Sequence, residues 1–249
     1  MSRSGSTKPP ELARRESSPE LLKKKQRLAA LMVHELRNPL AALTGNLEIL
    51  KDELAGASIS PIAIESLADC TALVARVQSL CSTILDVDEL EDGVLHAHRA
   101  AVDVDATVRR ALGFVERPLK TRGLRVEIDV PAGLLAAVDP DLFTRVVENL
   151  LDNAVRYAPR SGRLWIAARR ETGELELCIG NDGPPVADGE KDAIFSRYYR
   201  IEARKAGARA GRGLGLYFCR LAVEAHGGSI TVEQRGELGA VFVARLPEP

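Results

Sequence analysis

A histidine, a pair of asparagines, an acidic turn and a run of glycines are the residues of this chain best suited to chemistry. His34 stands in LMVHELRNPLAALTGNLEIL (residues 31–50), next to Glu35 and one helical turn before Asn38. Asn149 and Asn153 stand in ENLLDNAVRYA, four residues apart and therefore on one helix face. Asparagine is a poor residue for a helix interior. The pair suits side-chain oxygens used as ligands, for example to a hydrated Mg²⁺, which accepts few protein ligands. Plain surface placement accounts for them equally. Asp182 and Gly183, in IGNDGPPV, follow an apolar run. They make either a tight turn that holds a carboxylate at a strand end or an ordinary loop. Gly211, Gly213 and Gly215, in GRGLGLYFCRL, precede an apolar-faced helix, where backbone amides can close on phosphates. Their spacing departs from GxxxxGK[ST], which excludes a P-loop. The stretch before them, RIEARKAGARA, is basic, small and aperiodic. It reads as a lid offering Arg204, Lys205 and Arg209 to phosphate, or as a solvated loop.

These residues need elements to hold them. Ala29, Val33, Leu36, Leu40, Leu43, Leu47, Leu50 and Leu54 repeat at alternating spacings of four and three. With Leu40 at heptad position a and Leu43 at d, His34 falls at b and Asn38 at f, both outside the seam. Pro39 interrupts this helix and removes the amide that would bond the carbonyl of residue 35. A hinge below His34 is the expected result. After the loop LAGASISP, Ser60 can cap and Pro61 can open a second helix. That helix carries Cys70, Leu73, Val77, Leu80, Ile84 and Val87, widened by Leu67, Val74 and Cys81. Two helices with stripes this broad cannot bury them against each other alone. The expectation is a helical hairpin that pairs into a dimeric four-helix bundle. A surface histidine on an interaction hairpin is the plainer alternative.

Downstream, helices and strands alternate. Strands are expected at 124–130, 163–170, 174–179, 229–234 and 240–246, and helices at 105–121, 141–157 and 214–226. The expected organisation is a disordered leader (1–20), a helical hairpin (21–92), a linker (93–103) and an α+β domain (104–249). His96 and His98 fall in the linker, where a metal site has little support. His226 closes the last helix as a structural C-terminal residue.

The chain has 249 residues, 45% hydrophobic and 28% charged, with a formal net charge of -1. No overall basic field favours nucleic acid or anionic membranes. No apolar run reaches the length of a bilayer span, and the first residues lack the apolar core of a signal peptide. A cytoplasmic location is expected. The 4 cysteines form no CxxC pair, so buried thiols are expected rather than disulfides or a metal site.

Taken in order, the boxes resemble those of the sensor histidine kinases of bacterial two-component systems. HELRNPL resembles the H-box, ENLLDNAVRY the N-box, NDGPP the first glycine box, IFSRYYR the F-box and GRGLGL the second glycine box. HGGSITVE and GAVFVARLP match the usual ending. Pro185 stands where the family often has a later glycine. The resemblance implies a Bergerat-type ATPase fold for the second domain, an α/β sandwich shared with gyrase-type ATPases. It implies autophosphorylation of His34 from ATP, with Glu35 as base or orienting acceptor. Asn153 would hold Mg²⁺, with Asn149 alongside. Arg156 and Tyr157 would lie near phosphate and adenine. Asp182 would accept from the adenine amino group, and Gly183 would let the base approach. Phe195 would anchor the lid, and Gly211, Gly213 and Gly215 would shape it. Asn38 would position water for a phosphatase reaction. The implied partners are a second copy of the chain, a response-regulator receiver domain and an upstream sensor protein. A scaffold with a decayed nucleotide domain, a clamp ATPase and a serine kinase are the rival readings.

Overall fold

The computed structural model describes residues 36, 40–41, 43–51, 54, 60–93, 95–171, 173–197, 199 and 214–247. His34, Glu35, Asn38, Pro39, Arg204, Lys205, Arg209, Gly211 and Gly213 lie outside the described residues. The chain divides into two compact units, Met1–Asp88 and Glu89–Pro249.

The first unit is a helical hairpin. Helix α1 covers 40–51, apart from residue 42, and helix α2 covers Pro61–Glu91. Ser60 starts α2 as expected: its hydroxyl accepts from Ala63 N at 3.2 Å. Leu40 and Cys81 are buried together, with Val74, Ile84 and Leu85 packed against them. Gln78 Nε2 crosses to Thr44 Oγ1 at 3.1 Å, and that hydroxyl donates to Leu40 O at 3.0 Å. The heptad is therefore split. Leu40, at a, is closed within the hairpin. Leu36, Leu43 and Leu50, all at d, stay 49%, 50% and 50% exposed. Cys70 is exposed too, whereas Cys81, Cys178 and Cys219 are buried as expected of thiols.

The second unit contains a five-stranded sheet in the order β2-β4-β5-β7-β6. Its strands are β2 (Arg125–Asp129), β4 (Arg163–Glu171), β5 (Glu174–Asn181), β6 (Ser229–Arg235) and β7 (Leu238–Pro247). Only β2 and β4 run parallel. All five coincide with expected strands, because their apolar residues alternate or run continuously through the centre. The pair β1 (Ala100–Asp103) and β3 (Leu135–Val138) forms a separate antiparallel ribbon that was not expected. Helices α3 (Val104–Phe114), α5 (Pro140–Tyr157) and α6 (Gly215–Ala225) stack in sequence, with α5 central. Leu164, Ile166, Leu177 and Ile179 are fully buried on one sheet face. The opposite face carries a smaller cluster of Cys178, Leu238, Val241 and Val243.

The helix expected over 105–121 is two helices. It breaks at Val115, and α4 (Glu116–Arg122) follows. Pro118 explains the break: it has no N–H for the carbonyl of Phe114, and its ring crowds that turn. Among the described residues, no helix is long and apolar enough to cross a membrane.

Candidate functional site: a cleft edge built on helix α5

Helix α5 is anchored at both ends. Asp139 caps its start by accepting from Asp141 N and Leu142 N, each at 3.0 Å. His226, the C-cap of α6, reaches the same corner. Its Nε2 accepts from Asp139 N at 2.8 Å, and its Nδ1 lies 2.6 Å from Ala222 O. The ring proton therefore sits on Nδ1, and the histidine ties the end of α6 to the start of α5. At the far end, Arg122 donates to the carbonyls of Val155, Arg156 and Ala158 at 2.8, 2.8 and 2.6 Å. It satisfies the last carbonyls of α5, which otherwise lack partners. His226 was expected to close α6 and does so, whereas its bond to Asp139 and the capping by Arg122 were not expected. Arg122 was hidden because its partners lie far along the chain, and only its place in a last helical turn hinted at capping.

Between these anchors stand the two asparagines, both half-buried. Asn149 Nδ2 donates to Arg145 O at 2.8 Å, and Asn153 Nδ2 donates to Asn149 O at 2.9 Å. Each amide nitrogen is tied back to its own helix. Both side-chain oxygens are left as acceptors, that of Asn149 against Gly215 at the start of α6, which fits a hard cation that prefers oxygen ligands. A Cβ at Gly215 would come within 2.5 Å of Asn149 Oδ1. Glycine is required there so that the first turn of α6 can close on the asparagine. The two boxes, far apart in sequence, thus meet through one missing methyl group.

Beneath them, the Arg145 guanidinium lies 4.4 Å over the ring of Phe218. Burial lowers the Arg145 pKa, against the pull of Glu148. Burial raises that of Glu148, against Arg145 and Arg110. The helix face beside the asparagines is therefore partly dehydrated.

One turn further on, Arg156 donates to Asp152 at 2.9 Å. The carbonyl of Tyr157 lies where a Cβ on Gly183 would stand, so only glycine lets the strand end approach α5. Asp182 and Gly183 are thus brought beside the last turn of the asparagine helix. Asp182 Oδ1 accepts from Arg163 N at 2.8 Å and so points toward the start of β4. Its neighbour Asn181 is 1% exposed. Asn181 Oδ1 accepts from Gly183 N at 2.7 Å, while its buried Nδ2 has no hydrogen-bond partner. Leaving such a donor unsatisfied costs about 1–3 kcal/mol. Asn181 was not singled out from the sequence, although a polar residue ending an apolar strand was a signal.

Phe195 is buried and meets Phe242 edge-on, with centroids 6.3 Å apart. It fixes the chain just before the basic stretch. Within the same unit, Glu91 accepts from Arg197 at 2.6 Å and from the Tyr217 hydroxyl at 2.5 Å. These two residues flank that stretch on either side. Burial and the Glu91 contact push the Tyr217 phenol up to about 12.

Comparison with known proteins gives this arrangement a class. Residues 24–93 match the His Kinase A (phospho-acceptor) domain. Residues 138–249 match the Histidine kinase-, DNA gyrase B-, and HSP90-like ATPase domain, which is an ATP-binding fold. The sensor protein KdpD of Escherichia coli is 35% identical over 222 residues, covering 89% of this chain and 24% of that protein. The signal transduction histidine-protein kinase BaeS of Escherichia coli is 30% identical over 214 residues, covering 86% of this chain and 45% of that protein. The chain spans less than half the length of either relative. Full-length ShkA, crystallised with AMPPNP, superposes with a TM-score of 0.67 at 20% identity, over 90% of this chain and 46% of that one. That likeness shows the fold alone. The chain belongs to the sensor histidine kinases of bacterial two-component systems.

Proposed function

We propose that this chain is an ATP-dependent protein-histidine kinase that autophosphorylates on His34 and passes the phosphoryl group to an aspartate of a response-regulator receiver domain. The observation that carries the reading is the paired asparagines. Their nitrogens are tied back and their oxygens remain as acceptors, that of Asn149 at the glycine that opens α6. In this reading Asn153 holds Mg²⁺, with Asn149 alongside. When bound, the ion offsets negative charge on the ATP phosphates. Gly183 lets the base lie against the end of β5, next to Tyr157. Arg156 and the glycines at 211 and 213 serve the phosphates, and Phe195 anchors the segment that covers them.

Phosphoryl transfer depends mainly on positioning and charge neutralisation. A neutral His34 nitrogen attacks the γ-phosphorus. An N–P bond forms, the bond to the β-phosphate oxygen breaks, and ADP leaves with that electron pair. The proton on the other ring nitrogen passes to Glu35. The receiver carboxylate then takes the phosphorus as the imidazole leaves.

The active form in this proposal is a homodimer, supported by the exposed d-position row Leu36, Leu43 and Leu50. Input arrives from an upstream sensor. Asn38 also orients water against the regulator's acyl phosphate; an unchanged dephosphorylation rate in Asn38→Ala would remove that role. The kinase reading itself is tested by incubation with γ-labelled ATP. Acid-labile label on the protein is expected. Acid-stable label points to a serine kinase, and a lack of label to a scaffold or a clamp ATPase.

A further inference from the structure

We propose that Glu91 is a positioning residue for the nucleotide site: through Tyr217 it sets the first turn of α6, and with it the place of Gly215 against Asn149. The inference rests on the ATP reading above and deepens it by naming what holds that turn.

Three observations carry it. First, a side chain ties α6 at its end and none caps its start. His226, the C-cap, accepts from Asp139 N at 2.8 Å, whereas Leu214 at the other end makes no side-chain capping bond. Leu214 and Phe218 are buried and pack this turn inward. Between them, the Tyr217 hydroxyl donates to Glu91 at 2.5 Å. Second, the same carboxylate accepts from Arg197 at 2.6 Å, in a pair whose side chains are only 23% and 20% exposed. Arg197 stands two residues after Phe195, which is buried edge-on against Phe242 of β7. Glu91 is thus tied to the sheet through one partner and to α6 through the other. Third, Glu91 works against its own helix. It ends α2, which has no basic residue in its last turn, and the helix dipole opposes a carboxylate there. The charge is stabilised by what it holds outside α2.

The grip acts within one helical turn of the site, since Tyr217 is two residues from Gly215. A Cβ at Gly215 would come within 2.5 Å of Asn149 Oδ1, so a small shift of this turn alters its closure on the asparagine. The contact lies wholly within the second unit, which begins at Glu89. Yet Glu91 is the last residue of a helix that starts at Pro61. Displacing the last turn of α2 therefore changes nucleotide affinity, and by linkage nucleotide binding steadies that turn.

The test is the affinity of the full chain for ATP, by isothermal titration, in wild type, Tyr217→Phe, Glu91→Ala and the double variant. Hydrogen exchange is followed at the Gly93 and Leu95 amides, which bond back to Leu90 O and Glu89 O at 3.2 and 3.1 Å and close the end of α2. Each single variant should bind ATP about 10-fold more weakly, on the order of one charge-assisted hydrogen bond, and the double variant no more weakly than Glu91→Ala. ATP should slow exchange at the two amides in wild type and not in Tyr217→Phe. A merely structural tie would lower Tm and leave both the affinity of the folded protein and the effect of ATP on exchange unmoved. Unchanged affinity in Tyr217→Phe, or losses that add in the double variant, would overturn the inference. So would exchange in wild type that does not respond to ATP. Should Glu91→Ala fail to fold, Tyr217→Phe, which keeps the ring, decides alone. If wild type binds no ATP, the ATP reading itself falls, and the inference with it.

Discussion

The hairpin and the α+β unit handle their apolar residues in opposite ways. The α+β unit closes on itself: Leu150, Leu151, Leu164, Ile166, Leu177 and Ile179 are fully buried. Its paired asparagines, Asn149 and Asn153, stand on a helix clamped at both ends by Asp139, His226 and Arg122. The hairpin buries one side of its heptad and leaves the other open, with Leu43 half exposed. The α+β unit is finished within one chain, and the hairpin leaves the row of Leu36, Leu43 and Leu50 uncovered. In the proposed reaction the nucleotide and the phosphoryl acceptor belong to different units.

The comparison can be broken first at the hairpin. Leu43→Lys places a charge on the open row and should weaken dimerisation by at least about 100-fold, since charge at a seam position costs several kcal/mol. Sedimentation across a concentration series would measure it. An unchanged dimer would mean that the row is surface. Next comes the contact between the two boxes. Gly215→Ala brings a methyl against Asn149 Oδ1, so nucleotide affinity should fall about 10-fold, with about 1–3 kcal/mol of overpacking. Isothermal titration together with thermal unfolding would separate the two effects. A fully retained affinity would show that the asparagine is not held for ligand.

The smallest effect concerns how the α+β unit closes its outer sheet face. Glu176 is buried there and meets Arg169, Arg235 and Arg245 at 2.9, 3.3 and 2.9 Å. Burial pushes its pKa up. The Cys178 thiol and the guanidiniums of Arg235 and Arg169 outweigh that and hold it below the ordinary value. Burial takes the Cys178 thiol itself to about 11. A depressed carboxyl contributes stability above its unfolded pKa of about 4.3 and loses it as pH falls through the lower folded value. Glu176→Gln should therefore flatten the decline of Tm below about pH 4.3 relative to wild type. Parallel acid-side curves would assign that decline to other carboxylates.

Much of this was legible in the sequence because it depends on local period. Alternation in RLWIAARR and ELELCI marked the central strands, and the spacing of Asn149 and Asn153 placed them on one face. The ribbon of AAVD and LAAV was not legible: each strand has four residues, is rich in alanine and pairs only with the other. The single helix expected over 105–121 failed because Pro118 overrode helical periodicity at Val115. At the site, NDGPP drew attention to its carboxylate. The burial of Asn181 and the direction of its amide depend on a backbone N–H two residues on and on the packing of α5, and neither is visible in the motif. Arg122 and His226 act across distances in sequence that no short window contains.

The central claim is that the nucleotide unit phosphorylates one histidine of the hairpin. The direct measurement is label incorporation from γ-labelled ATP into His34→Gln, alongside its affinity for ATP. The account predicts that label is lost while nucleotide affinity stays at the wild-type value, because His34 is not part of the ATP-binding unit. Label that persists in His34→Gln would contradict it.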